Sequence, residues 1–309
     1  GVPGVCDGIA MSAEMRLSLP SRDHIADNIE IMMLSHSFDG WVGVTNCDKI
    51  TPGMLMAAMR LDLPAIMLTG GPMLAGERDG KKLDLISCFE AVGEVRGGTR
   101  DAAEAEELAG CACPGAGSCA GLFTANSMAV MTETLGMSLI GSAAAPAISK
   151  RRRDFAYETG RRAVTVVSED IRPRQVMTRD AFRNAWVMDL AVGGSTNTAL
   201  HLPAIAAEAG MDLDLAELDE LSRQIPNLCH IRPTGDHFME DFDRAGGVPA
   251  TLARLQGFLR ESITVSGPSS LDIARQGVCS DDDVIRPLDN PFGTEGGMAV
   301  LRGNLALES

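Results

Sequence analysis

No apolar stretch in this sequence approaches the roughly 18–20 residues that a membrane-spanning helix needs, and no leader pattern of charge followed by an apolar run opens it. Positive charge is also scarce. The 27 Lys and Arg stand against 42 Asp and Glu, a formal net charge of −15, which argues against nucleic acid or an anionic membrane as partner. Internal repeats and low-complexity tracts are missing, so neither a repeat array nor a disordered tail is indicated. Position 1 is Gly1 and not Met, and the sequence starts as if inside a motif; a trimmed chain is expected. What is present is 309 residues, 45% of them hydrophobic, with a mean hydropathy of +0.05. That suffices for one large domain or two modest ones around a real core.

Eight cysteines occur, at positions 6, 47, 88, 111, 113, 119, 229 and 279. An even count is compatible with disulfides, but a chain this long and apolar does not need stapling. Three of them crowd into "CACPGAGSC" (residues 111–119), a density that points to cytosolic thiols serving a metal centre. Cys88, Cys229 and Cys279 sit in ordinary contexts and read as plain thiols.

Strand and helix signals alternate. "WVGVT" (Trp41–Thr45) reads as a buried strand, and "TPGMLMAAMRLDL" as a helix capped by Thr51 with Pro52 in its first position. "PAIMLTGG" (residues 64–71) reads as a second strand, which completes a strand–helix–strand unit of a parallel sheet. Cys47 and Gly70 are then expected at the same edge of that sheet. A helix capped by Ser21 precedes this unit. Another leaves the cysteine–glycine loop and stops at Gly136, and two more flank a "GGSTN" break at residues 193–197. Residues 78–110 are charged and helical and read as a surface excursion. The fold class is therefore α/β, a mostly parallel sheet flanked by helices. Near residue 280 the sequence turns rich in Gly, Pro and Asp, with strand-like pieces such as "MAVLRGN". The expected division is a body over residues 1–280 and the start of a β-rich second domain over residues 281–309.

The run "TNCDKITPG" joins a thiol, a carboxylate and an amine at the carboxyl end of a parallel strand, where open α/β sheets keep their sites. A thiolate at Cys47 can bind cluster iron, and Asp48 suits Mg²⁺, a hard cation that prefers oxygen. The ammonium of Lys49 would repel a cation unless it were converted, for instance by CO₂ to a carbamate. Otherwise it pairs with carboxylates or binds an anionic substrate. A buried Cys beside an exposed Asp–Lys pair is the plainer reading of the same string. "GVCDGIAM" (residues 4–11) offers Asp7 as a second hard-metal candidate, or as an ordinary turn aspartate. "CPGAGSCAG" leads into a helix, so Cys119 stands near a helix N-terminus that favours a thiolate. No "GK[ST]" follows this loop, which weakens a phosphate-loop reading. The "GGSTN" turn would offer backbone N–H groups, two hydroxyls and an amide to a carboxylate, or would serve only as a helix cap.

Taken in order, "DGIAM", "SLPSRDHIADNIE", "NCDKITPGMLMAAMRLDLPAIMLTGGPM", "CPGAGSC", "GGSTNTALHLPAIAAEAG", "MEDFDRAGGVPA" and "LRGNLA" resemble the family of dihydroxy-acid, sugar-acid and 6-phosphogluconate dehydratases. The resemblance covers nearly the whole chain. The "NCDKITPGM" and "CPGAGSC" loops are most similar to the branch serving branched-chain amino acid biosynthesis. The resemblance implies a hydro-lyase that turns a 2,3-dihydroxy carboxylate into a 2-keto acid, with an iron–sulfur cluster (2Fe–2S in preference to 4Fe–4S) and Mg²⁺. It implies Cys47 and Cys119 as two of three cluster cysteines, and Asp7, Asp48 and a carboxylated Lys49 as Mg²⁺ ligands. Ser195, Thr196 and Asn197 are expected to bind substrate. The third cluster cysteine is expected upstream of this chain, and a Mg²⁺-binding glutamate and the catalytic serine base downstream. Cys6, Cys111 and Cys113 do not match the missing cysteine. A cytoplasmic homodimer is expected. The rival readings are a sugar-acid or 6-phosphogluconate dehydratase, and a folded fragment without turnover.

Overall fold

The computed structural model describes residues 4–6 and 13–305. The chain opens with α1 (Ser18–Ser35), β1 (Trp41–Thr45), α2 (Ile50–Leu61) and β2 (Ala65–Thr69). A hairpin of β3 (Gly76–Arg78) and β4 (Lys81–Leu83) follows, with α3 (Leu85–Arg96) and α4 (Ala102–Ala112). The helical remainder comprises α5 (Thr124–Thr134), α6 (Lys150–Ser168), α7 (Pro173–Val176), α8 (Arg179–Val192) and α9 (Thr198–Ala207). It continues through α10 (Leu215–Ser222), α11 (Met239–Ala245), α12 (Gly247–Arg254) and α13 (Ser270–Gln276). No described helix is long and apolar enough to cross a membrane.

The class is α/β, but the parallel sheet is small. β1 and β2 pair in parallel from Trp41↔Ala65 to Thr45↔Thr69, and one further parallel bridge joins Met67 to Ser138. β2 is buried along its length, as a continuous Ala-Ile-Met-Leu-Thr run dictates for a strand covered on both faces. β1 alternates: Gly43 and Thr45 point inward, Val42 and Val44 outward. Between the strands, residues 51–59 of α2 are all buried, so this helix runs through the core, with α1, α5 and α9 packed around it.

Two helix starts differ from the sequence reading. α2 begins at Ile50 with Lys49 in the capping position, and Pro52 falls two residues deeper in the first turn than expected. Thr51 is no cap, because its hydroxyl lies 2.7 Å from that of Thr45 and ties the helix to the strand before it. α1 begins at Ser18, so Ser21 lies inside the helix and donates to the Ser18 carbonyl at 2.6 Å. The excursion over residues 78–110, together with the end of α4, has a small core of its own, Leu83, Ala91, Leu108 and Ala112.

Residues 281–305 form no strand. A strand needs a ladder partner, and "MAVLRGN" finds none among the described residues; the segment makes one isolated bridge, Asn227↔Gly293. Val284, Ile285 and Met298 enter the main core, and backbone bonds from Arg286 to Leu228 (2.9 Å) and from Gly297 to Leu190 (2.9 Å) fasten the segment.

Candidate active site

The carboxyl ends of β1 and β2 meet, as the Gly70 N–H donates to the Thr45 carbonyl at 2.7 Å. This places Asn46, Cys47 and Asp48 beside Gly70 and Gly71 at one sheet edge. Cys47 holds φ +74°, a left-handed backbone that residues with a Cβ adopt only when their surroundings impose it. That bend carries the chain from the strand directly into α2, and it sets Cys47 and Asp48 on the wall of a cavity of about 790 Å³.

The cysteine loop forms another part of that wall. Pro72 and Ser118 bridge in parallel, with Met73 N–H donating to the Ser118 carbonyl at 2.8 Å and Ser118 N–H to the Gly71 carbonyl at 2.9 Å. Gly117, at φ +132°, has no room for a side chain, because a Cβ would come within 2.4 Å of the Met73 nitrogen. Asn126, fully buried on α5, completes the clamp. It accepts from the Ser118 hydroxyl at 2.6 Å and donates to the carbonyls of Cys119 at 2.6 Å and Gly121 at 2.7 Å.

Four thiols thus line one cavity: Cys6, Cys47, Cys113 and Cys119. Cys111 is not among them. Burial pushes the Cys119 thiol up to about 12, and the neighbouring Cys113, Cys47 and Cys6 add to the shift because each thiolate repels the next. Without a cation to share, the Cys119 sulfur is protonated; with one, the group is a soft donor set. The rest of the lining includes Met15, Met73, Leu85, Phe89 and Phe123, all apolar.

The hard donors stand beside the soft ones. Lys49 is buried, with Nζ 2.9 Å from Asp48 Oδ2. His201, fully buried on α9, presents Nε2 at 3.8 Å from Asp48 Oδ1 and Nδ1 at 3.3 Å from Arg22 Nη1 on α1. Burial lowers the pKa of His201 from its ordinary 6.5; the Asp48 contact opposes this, while Arg22 and Lys49 reinforce it. Asp7 lies outside the described residues. Among the described residues no three His, Cys, Asp or Glu side chains close on a single metal-sized point.

The turn between α8 and α9 engages three of its backbone donors within the protein, so Gly194, Ser195 and Asn197 do not present theirs to a carboxylate as the sequence reading expected. Gly194 N–H donates to the Asp189 carbonyl at 3.0 Å, Ser195 N–H to Ser127 Oγ at 3.0 Å, and Asn197 N–H to Ser195 Oγ at 3.3 Å. The side chains remain as functional groups. Asn197 Nδ2 donates to Thr124 Oγ1 at 2.8 Å, and that hydroxyl sits 3.0 Å from Ser195 Oγ. Thr124 lines the large cavity. Asn197 and Lys49 line a smaller one of about 250 Å³, and Met15 borders both. Thr196 is exposed. Asp189 anchors the turn from below, with Oδ2 accepting from Thr198 Oγ1 at 2.5 Å.

Asn126, Asp189 and His201 were not singled out from the sequence. Their signal was there, since each is a polar residue set among apolar ones in a buried helix ("TANSMAVM", "WVMDLAV", "TALHLP").

Residues 1–272 match the family described as "Dihydroxy-acid/6-phosphogluconate dehydratase N-terminal". The chain is 53% identical over 308 residues to the dihydroxy-acid dehydratase of Thermodesulfovibrio yellowstonii, covering 99% of this chain and 56% of that protein. It is 53% identical to that of Methanothermobacter thermautotrophicus over 305 residues (98% and 56%), and 52% identical to that of Syntrophobacter fumaroxidans over 309 residues (99% and 56%). The chain therefore spans a little over half the length of these relatives.

Proposed function

From the premise that the chain belongs to the dihydroxy-acid/6-phosphogluconate dehydratase family, we propose that it is the cofactor-binding part of a dihydroxy-acid dehydratase. The reaction removes water from a 2,3-dihydroxy carboxylate and yields a 2-keto acid for branched-chain amino acid synthesis. The observation that carries this reading is the arrangement at the end of β1. Cys47 and Asp48 share a cavity wall with Cys119, while Lys49 is buried against the Asp48 carboxylate.

The residues fit two inorganic groups of different softness. Cys47 and Cys119 would hold an iron–sulfur cluster, 2Fe–2S in preference to 4Fe–4S, with a third cysteine from outside this chain. Asp48, Asp7 and a carboxylated Lys49 would hold Mg²⁺, since carbamate and carboxylate oxygens are the donors that ion prefers. When bound, these groups supply Lewis acidity to the departing 3-hydroxyl and to the 2-hydroxyl beside the acidic C2 proton.

The chain's own groups do the positioning. Met15, Met73, Leu85, Phe89 and Phe123 give the cavity apolar surface that suits a short branched aliphatic tail. The hydroxyl-rich chain of a sugar acid would leave its polar groups unpaired against the same wall, which disfavours the sugar-acid and 6-phosphogluconate alternatives. Ser195, Thr196 and Asn197 are the substrate-binding residues of this proposal, with Asn197 tied by its bond to Thr124 at the wall of the smaller cavity that Lys49 also lines. The base that accepts the C2 proton, a serine, is expected outside this chain; the resulting enol ketonises to the product. Residues 281–305 would lead from this body towards a β-rich second domain. The enzyme is proposed to work as a cytoplasmic homodimer.

The test is anaerobic reconstitution of the full-length protein with iron and sulfide. Cys119→Ser and Cys47→Ser are expected to abolish both the visible cluster absorbance and turnover of a branched 2,3-dihydroxy acid, whereas Cys113→Ser keeps both. Loss in Cys113→Ser with retention in Cys119→Ser would refute the thiol assignment. Faster turnover of a sugar acid would refute the substrate class, and turnover by the full-length protein but not by these 309 residues alone would favour the fragment reading.

A further inference from the structure

His201 is an imidazole with no exposed surface, held between the Arg22 guanidinium of α1 and the Asp48 carboxylate of the turn before α2. Its surroundings select one tautomer. The Arg22 guanidinium can only donate, so the ring nitrogen facing it at 3.3 Å, Nδ1, is the acceptor. The neutral ring then carries its hydrogen on Nε2, and Nε2 has no hydrogen-bond partner within range among the described residues. The atom it faces is Asp48 Oδ1 at 3.8 Å, while the other oxygen of that carboxylate lies against Lys49 Nζ at 2.9 Å.

Helix packing explains why the three groups meet. α2 is in contact with both α1, which carries Arg22, and α9, which carries His201. Asp48 precedes the first turn of α2, so it is presented to the seam where all three helices converge. A histidine serving only as core filler would gain nothing from two charged neighbours, and an apolar side chain would fill the space without a buried N–H.

We propose that His201 is a positioning residue for Asp48: with its tautomer set by Arg22, it aims an N–H at the carboxylate and fixes its rotamer for cation binding. The proposal rests on the reading of Asp48 as a metal ligand given above. A donor behind a ligating group orients it and tunes its basicity, and removing such a donor typically weakens metal binding by about 10–100-fold.

The experiment is a titration of the full-length protein with Mn²⁺, a paramagnetic stand-in for Mg²⁺, with free ion read by electron paramagnetic resonance. His201→Leu is expected to weaken Mn²⁺ binding by about 10–100-fold with its circular dichroism unchanged. His201→Gln, whose amide N–H reaches the place of Nε2, should stay within a few-fold of the unmodified protein. A folded His201→Leu protein with undiminished affinity, alongside an Asp48→Asn protein that loses it, would reduce His201 to packing and overturn the proposal. Undiminished affinity in Asp48→Asn would overturn the metal reading itself, and the proposal with it. Should His201→Leu fail to fold, His201→Gln and His201→Asn decide. An asparagine amide reaches only the Nδ1 position, so equal affinities for the two would also overturn the proposal.

Discussion

Replacing Asp189 with asparagine should change how stability depends on pH. The Asp189 carboxyl is fully buried on α8; one oxygen accepts from Thr198 and the other, Oδ1, has no hydrogen-bond partner among the described residues. Burial pushes it from its ordinary 3.8 up to about 7, opposed only in part by the Thr198 hydroxyl. Below its unfolded pKa the group is protonated in both states and has no effect on the slope. As pH rises from about 4 to about 7, the unfolded chain gives up this proton while the folded protein keeps it, so stability falls; above about 7 the loss is complete. A carboxyl titrating near 7 when folded and at 3.8 when unfolded is linked to about 4 kcal/mol of stability. An amide cannot ionise, yet its oxygen can still accept from Thr198. Urea unfolding of both proteins from pH 4 to pH 8 should therefore show the variant gaining on the parent by up to about 4 kcal/mol, with a plateau above neutrality. Glu133, also pushed up to about 7 by burial, is common to both proteins and cancels in the difference. Parallel curves between pH 4 and pH 7 would show that Asp189 ionises normally in the folded protein, and the account of the turn it anchors would fall.

Two further substitutions test how the site is built. Gly194→Ala places a methyl group within 1.9 Å of Asp189 Oδ1; the turn must shift, and a loss of about 1–3 kcal/mol is expected in thermal or urea unfolding. An unaltered melting temperature would mean the turn is looser than its geometry implies. Asn126→Ala removes bonds to Ser118, Cys119 and Gly121 from a fully buried position. It should cost about 2–4 kcal/mol and make the Cys119 thiol more reactive towards a maleimide in the metal-free protein; unchanged labelling would count against the clamp.

Much of this protein is written in its local sequence. Residues Trp41–Thr45 form a strand because a short β-rich run precedes a bend, and "GGSTN" separates two helices because Gly193 takes a left-handed backbone at φ +67°. The adjacency of Cys47, Asp48 and Lys49 is covalent, and the strand–helix junction puts them at the sheet edge in any fold of this kind. Other features depend on groups far away in the chain. Thr51 has the chemistry of a cap but bonds to Thr45 instead, because the strand lies within reach of its hydroxyl. The strand-like "MAVLRGN" stays irregular, since pattern alone supplies no ladder partner. No spacing rule distinguishes Cys111 from Cys113 or Cys119; only the path of the loop across Pro72 and Met73 brings the latter two to the cavity wall. His201 meets Asp48 across 153 positions of chain for the same reason. Periodicity and turn chemistry act over a few residues and are legible one segment at a time. Which buried polar groups face one another is decided by the packing of three helices that no single segment encodes.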